Sequence, residues 1–328
     1  MNQVLTLNEN YSTTRRLFKS TLQEINTLLS QANQSEDKFQ TTFLLPESKN
    51  RQGEGGLRTK GYFKVGGIIP QNDPLHAVDN CSENISSPLI TVVTVVYNGE
   101  AFLEDTILSV INQTYDNVEY IIIDGGSTDA TLDIIRKYEH AIDYWVSEKD
   151  QGIYDAMNKG ITLATGDWIN FMNGGDAFYN NTTLDHVFKK NDLSVFDIIY
   201  GNHQVVYPSG RKRLARAGQL TNMWKGSQFC HQATFVKSKY HKKNKFNIST
   251  EIVADFELFY NAWRANKKFH FIDVVIARFE AGGVSDIKRI DSILGWWVLV
   301  DKSFKVNVNY LIMIFMEVLK SFVKKKNG

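Results

Sequence analysis

Three short polar clusters carry the residue types that chemistry needs: Tyr97-Asn98, Asp124-Gly-Gly-Ser-Thr-Asp129 and Asn173-Gly-Gly-Asp176. A carboxylate in such a cluster accepts hydrogen bonds from a base or ribose, and glycines let a ligand approach the main chain. A second carboxylate can hold a divalent cation against diphosphate oxygens. Taken singly, each cluster is first of all a turn signal, because Asp-Gly and Asn-Gly pairs favour tight turns. Together they suit a nucleotide diphosphate, provided the fold brings them to one place. Further along, Cys230-His231-Gln232 and Ala254-Asp255-Phe256-Glu257 offer a histidine and two acids. Their structural readings are equally simple: an Asp at a helix start is a good N-cap, and a lone histidine is as often structural as functional.

The elements between the clusters determine whether they can meet. Ile90 to Val96 is a β-branched run of the kind found in a strand covered on both faces. Ala101 to Gln113 reads as a helix, with Phe102, Ile107, Leu108 and Ile111 on one side. Val118 to Ile123 is a second buried strand, and Ser127 or Thr128 can cap a helix from Ala130 to Tyr138. A strand from Ile142 to Ser147, a helix around Tyr154 to Ala164 and a strand from Trp168 to Met172 follow. This alternation predicts a parallel sheet with right-handed crossovers. Its ligands bind beyond the carboxyl ends of the strands, where all three clusters fall.

Outside that block the pattern is looser. Ile198 to Tyr207 and Phe269 to Phe279 read as strands and Asp255 to Asn266 as a helix. Tyr310 to Val323 is an apolar helix with a basic end, Lys324-Lys325-Lys326. Near the start, Leu17, Leu22, Ile25, Leu28 and Leu29 are helically spaced within Thr14 to Gln31. Gln52 to Gly67 is Gly-rich with Arg58 and Lys60, Lys64, and Arg51 precedes it; it reads as a loop, most simply a solvated linker. Its GEGG lacks the GK[ST] of a phosphate-binding P-loop.

Bulk properties exclude several classes. The chain has 328 residues, 43% hydrophobic and 22% charged, with a formal net charge of +1. Such a balance argues against nucleic acid as a partner, since phosphate binding leaves a basic footprint. Two cysteines, Cys81 and Cys230, make no disulfide framework and no zinc site. The N-terminus lacks a signal-peptide pattern, and no stretch reaches the roughly 18 apolar residues of a membrane span. The expected location is the cytoplasm.

Over Pro88 to Tyr179 the chain resembles the family 2 glycosyltransferases, GT-A fold enzymes of bacterial surface-polysaccharide synthesis. The resemblance rests on ITVVTVVYNGEAFLEDTILSVINQTYDNVEYIIIDGGSTDATLDII and DQGIYDAMNKGITLATGDWINFMNGGD, and thins over residues 195–285. It implies a Rossmann-like, mostly parallel α/β sheet flanked by helices. By residue numbers, 1–87 form an extension of helix and Gly-rich loop and 88–285 the GT-A domain, with a nucleotide-sugar half (88–179) and an acceptor half (180–285). Residues 286–328 are a helical tail. By position, Val95 and Tyr97 match residues lining the base, with Asn98 and Glu100 in the same loop, and Asp124 matches the carboxylate that hydrogen-bonds the base. Asp150 and Asn158 match the segment under the diphosphate and donor sugar. Asn173 to Asp176 matches a DxD-type metal motif, but Asn173 replaces its first acid, leaving Asp176 as the single carboxylate for Mg²⁺ or Mn²⁺. Asp255 matches the catalytic base, with Glu257 as the fallback, while His231 and Gln232 match a segment near donor and acceptor. Gly282-Gly283-Val284-Ser285 fits a closing loop.

The resemblance implies inverting transfer from a nucleotide-diphosphate sugar to a saccharide hydroxyl, the acceptor being carried on a lipid. The basic tail is then compatible with peripheral contact at an anionic cytoplasmic membrane face. Two alternatives stand beside it. A nucleotidyltransferase also uses a parallel sheet and a metal, but carries a basic Gly-rich loop where this chain has Val96-Tyr97-Asn98-Gly99-Glu100. A non-catalytic partner of polysaccharide synthesis keeps the fold without the activity.

Overall fold

The computed structural model describes residues 10–25, 27, 42–64, 87–189, 191–250, 252–283 and 287–326. Its centre is a block of four parallel strands, ordered β6-β5-β4-β7 in space: β4 (Ile90–Val96), β5 (Val118–Asp124), β6 (Tyr144–Glu148) and β7 (Trp168–Phe171). Every residue of β4 and β5 is buried, as expected for strands covered on both faces. Period-two alternation still decides which layer each side chain enters. Val93, Val95, Ile121 and Ile123 pack into one core, and Ile90, Val92, Val118, Tyr120 and Ile122 into the other.

The crossovers are α1 (Leu103–Ile111), α2 (Thr131–Lys137) and α3 (Ile153–Leu163). The start of α2 corrects one expectation, since neither Ser127 nor Thr128 caps it. Asp129 Oδ1 accepts from the Thr131 N–H at 3.0 Å, while Ser127 is turned inward to Asp124.

After β7 the sheet continues with antiparallel pairings, except that β9 and β12 run parallel to each other. β8 (Ala177–Phe178), β9 (Ile198–Val206), β10 (Lys212–Ala215), β11 (Thr234–Lys237) and β12 (Phe269–Glu280) complete ten strands, ordered β2-β6-β5-β4-β7-β11-β9-β12-β8 with β10 on β9. Helices α4 (Thr183–Phe188), α5 (Ser238–Lys243) and α6 (Ala254–Arg264) belong to this half. The chain closes with α7 (Arg289–Leu299) and α8 (Phe304–Lys326), so the tail helix is longer at both ends than its apolar run.

The first strand in that order corrects a second expectation. Arg51–Gly55, read as a loop, is the edge strand β2, antiparallel to β6. A small pair, β1 (Phe18–Lys19) with β3 (Tyr62–Phe63), flanks it. All four cations of this segment are paired, and two of them are buried. Arg58 reaches Glu119 at 2.5 Å and Lys64 reaches Asp143 at 2.8 Å, with all four side chains almost fully buried. Arg51 pairs with Glu148 at 3.1 Å and Lys60 with Glu139 at 2.7 Å. Burial alone would raise the Glu119 carboxyl, but Arg58 and hydrogen bonds from Thr165 and Thr91 outweigh it and hold Glu119 below the usual range. The helix expected over Thr14 to Gln31 lies partly outside the described residues; within them, residues 22–25 are helical. Cys81, Val284 and Ser285 also lie outside them.

Candidate active site

The three polar clusters meet at the carboxyl ends of β4, β5 and β7. The loops after β4 and β5 are laced together through Asn98 and Glu100. Asn98, at φ 49°, donates its N–H to Ser127 Oγ at 2.7 Å and accepts from the Thr128 N–H at 2.9 Å. Glu100 donates its N–H to Asp129 at 3.1 Å and accepts from the Ala130 N–H at 2.9 Å. Both side chains therefore build the rim of the cleft. Val95, at the end of β4, is buried, and its carbonyl accepts from Gly174 at 3.0 Å, tying the first loop to the third.

Asp124, expected to hydrogen-bond the base, is fully buried, and its carboxylate is engaged within the protein, where it organises the second loop. It accepts from Ser147 Oγ at 2.5 Å and from the N–H groups of Ser127 and Gly126 at 3.0 and 3.2 Å, and from the Ser127 hydroxyl. Ser147 carries no motif in the sequence; only strand pairing places it beside Asp124. The open face above this buried group consists of Tyr97 and Asp150. Tyr97 is 63% exposed. Gly125 lies between them: a Cβ there would stand 2.6 Å from Asp150 Oδ2 and 3.5 Å from the Tyr97 ring. Burial pushes the Asp150 carboxyl up, as do the neighbouring charges of Asp155 and Asp124, although a 2.8 Å hydrogen bond from the Gly152 N–H opposes the shift.

The third loop depends on Gly175, at φ 97°, where a side chain would be strained. The turn brings Asp176 back toward the cleft, and the Thr106 hydroxyl fixes it by donating to the Asp176 carbonyl at 2.7 Å. Asp176 is partly buried. Desolvation pushes its carboxyl up to about 6, against the opposing influence of His231 and a hydrogen bond from Gln232.

The acceptor half reaches the same point from two distant segments. His231 opens a short 3-10 turn, His231–Ala233, and Asp255 lies in the first turn of α6. His231 Nδ1 is 3.2 Å from Asp255 Oδ2, and His231 Nε2 is 3.1 Å from Asn173 Nδ2. An Nδ1–H donated to the carboxylate leaves Nε2 to accept from the amide, so one tautomer satisfies both contacts. The Tyr154 hydroxyl approaches Asp255 Oδ1 at 3.4 Å from α3, a partner the sequence did not single out. Asn173, His231, Asp255 and Tyr154 thus join the third loop, the 3-10 turn, α6 and α3 into one chain of side chains, with Asp176 and Gln232 beside it. Burial pushes the Cys230 thiol up to about 12, so it stays protonated here.

Two expected residues do not join this group. Asn158 donates to the Phe246 carbonyl and accepts from the Phe246 N–H, each at 2.9 Å, so its amide braces α3 rather than facing a ligand. Glu257 accepts from Thr250 at 2.9 Å and holds the loop before α6.

Asp176 and Asn173 can be tested for their fit to a divalent cation. Among the described residues, no cluster of three or more His, Cys, Asp and Glu side chains could hold a metal alone. Among the described residues, however, Asn173 Oδ1 is buried without a hydrogen-bond partner, and Asp176 is desolvated with no Lys or Arg paired to it. An orphaned amide oxygen beside an uncompensated carboxylate suits a cation whose remaining ligands are ligand oxygens and water.

A crossover-built parallel sheet with three polar loops at its carboxyl end defines a nucleotide-binding α/β protein. The chain belongs to Glycosyl transferase family 2, whose profile matches residues 91–254. The PGL/p-HBAD biosynthesis glycosyltransferase of Mycobacterium tuberculosis is 30% identical over 232 residues, 67% of this chain and 84% of that one. An uncharacterized glycosyltransferase of Haemophilus influenzae is 37% identical over 100 residues, 30% of this chain and 40% of that one. The solved mannosyltransferase PcManGT from Pyrobaculum calidifontis shares the GT-A fold, with a TM-score of 0.53 and 14% identity over 70% of each chain.

Proposed function

We propose that the chain is an inverting, divalent-cation-dependent glycosyltransferase. In this reading it moves a sugar from a nucleotide-diphosphate donor to a hydroxyl of a growing, lipid-linked saccharide in bacterial surface-polysaccharide synthesis, at the cytoplasmic membrane face. We divide it into an extension (1–87), a catalytic domain (88–285) and a helical tail (286–328). The observation that carries the reading is the convergence of Asp176, Asn173, His231 and Asp255 from both halves of the fold. The PcManGT structure, which holds GDP-Man and Mn²⁺, supplies a precedent for the donor class and the cation.

Tyr97 stacks on the base and Asp150 stands below the donor, while Asp124 keeps the loop between them in shape. Asp176 and Asn173 would hold Mg²⁺ or Mn²⁺, which would supply neutralisation of the charge on the leaving diphosphate. Asp255 accepts the proton of the acceptor hydroxyl as that oxygen bonds to the anomeric carbon. The bond from that carbon to the diphosphate oxygen breaks on the opposite side, and its electron pair leaves with the nucleotide. One such displacement inverts the centre. A carboxylate is a weak base, but the hydroxyl proton becomes acidic as the new bond forms, so assistance late in the step suffices. His231, donating to Asp255 Oδ2, fixes the direction of the carboxylate.

Transfer and donor binding, measured in the same variants, test the reading. Asp255→Asn should lower turnover by about 10²–10⁴ fold with calorimetric donor affinity nearly unchanged. Asp176→Ala should weaken donor binding in Mn²⁺ while changing it little in EDTA. Near-normal turnover of Asp255→Asn rules out its assignment as the base.

A further inference from the structure

We propose that the exposed face of the C-terminal helix pair is a docking surface for an anionic lipid bilayer. Helix α8 has two apolar stripes, and among the described residues only one is covered. Inward, Val306 and Tyr310 are buried, and the Tyr310 ring stacks on Trp297 at 5.9 Å with an interplanar angle of 1°. Outward, Phe304, Val308, Leu311, Ile312, Phe315 and Leu319 follow helical spacing and are all exposed, Phe304 at 86% and Phe315 at 60%. In α7, Val298 is likewise 77% exposed. A contiguous apolar face of this kind marks an interaction surface.

Charge selects the occupant. Residues 299–328 hold six lysines and two acids, although the whole chain has a net charge of only +1. Both acids are engaged: Asp301 pairs with Arg264, and Glu317 with Lys320 at 2.7 Å. The helix then runs out in the sequence Lys324-Lys325-Lys326. Apolar residues on one face with lysines beside and beyond them fit an anionic interface, where the chain lies in the headgroup plane. Among the described residues no helix is long and apolar enough to cross a membrane. A second copy, placed stripe to stripe, would bring two lysine-rich helices together, which like-charge repulsion opposes. Lys305 and Lys302 stand 5.0 and 6.0 Å over the rings of Trp224 and Trp297. These partly exposed tryptophans carry the amphipathic ring that favours the membrane–water boundary.

The surface is also well placed for the reaction. Trp296 of α7 lies 5.8 Å from the Phe256 ring, next to Asp255, and a Cβ at Gly295 would come within 2.8 Å of Val253. Helix α7 is thus packed on the turn that carries the proposed base, so a lipid-linked acceptor in the same bilayer approaches from the side of Asp255. This last point rests on the proposed transfer; the docking itself does not.

Flotation of the full chain with vesicles tests the proposal. Wild type should float with phosphatidylcholine vesicles containing phosphatidylglycerol, remain unbound with phosphatidylcholine alone, and detach as salt rises. The double variant Leu311→Ser, Phe315→Ser should lose flotation with an unchanged melting temperature. Converting Lys324, Lys325 and Lys326 to Gln should weaken binding by about fivefold per lysine. Asp255→Asn should float like wild type, which separates failure of the docking from failure of the reaction assignment. The proposal is overturned if wild type ignores anionic vesicles, or if both tail variants float unchanged. It is also overturned if light scattering finds a wild-type dimer that Phe315→Ser converts to monomer.

Discussion

Residues 51–64 and the C-terminal helix are both rich in cations, yet they use charge in opposite directions. The N-terminal segment turns its cations inward: Arg58 and Lys64 are as buried as the acids they meet. The C-terminal helix keeps its apolar residues outside with its lysines around them. A buried cation is tolerable only with a partner at hydrogen-bond distance. Glu119 and Asp143, on and beside the central strands, supply that partner at one end. At the other end Asp301 and Glu317 are too few to neutralise six lysines. The N-terminal segment is thereby a fixed part of the sheet, and the C-terminal face remains available to something outside the chain. Asp176 gives a third case, a desolvated acid without a Lys or Arg partner, and its carboxyl is accordingly raised while that of Glu119 is lowered.

The strongest way to break the contrast is to remove a buried cation. Arg58→Met leaves Glu119 charged and unpaired, and denaturant unfolding should show a loss of about 3–5 kcal/mol. A loss below 1 kcal/mol would mean that the segment is not integral to the fold. Lys64→Met should cost a similar amount, and adding Asp143→Asn should recover about 1–2 kcal/mol by removing the stranded charge while keeping an acceptor for the Tyr120 N–H. Without that recovery, the cost of Lys64→Met belongs to packing and not to charge.

Asp176→Asn should act in the opposite sense in metal-free protein. A carboxyl raised from about 3.9 to about 6 favours the native state below the lower value and loses that advantage as pH rises through the higher one. At pH 7.5 the substitution should therefore stabilise by up to about 3 kcal/mol, and the gain should vanish toward pH 4. The same ionisation predicts that Mn²⁺-supported donor binding by the wild type weakens as pH falls through 6. A flat stability difference across that range would remove desolvation as the cause. The smallest effect belongs to the exposed face: Phe315→Ser should change stability by no more than about 0.5 kcal/mol. A larger loss would show that the stripe is already packed within the protein.

Much of the fold was legible because local signals and tertiary packing agree from Ile90 to Phe171. Strands buried on both faces must be continuous apolar runs, and their boundaries are marked by the same glycines and acids that form the loops. The Gly-rich segment misled for the opposite reason. A polar, Gly-rich stretch lacks apolar periodicity, and its place at the sheet edge rests on ion pairs to Glu119, Glu139, Asp143 and Glu148, which no local pattern records. Asn158 and Glu257 misled because a polar residue at a helical position does not reveal what faces it.

The sequence by itself determined the parallel core and the three loops at its carboxyl end, because each depends on residues adjacent in the chain. Tertiary structure alone decided that His231, Asp255 and Asn173 form one connected group, that Tyr154 joins it, and that Ser147 holds Asp124. It also decided that the first cations are buried and the outer stripe of the last helix is open. Those outcomes depend on contacts between residues far apart in the chain, where burial and partner distance, not residue type, decide what a charge or an apolar side chain can do.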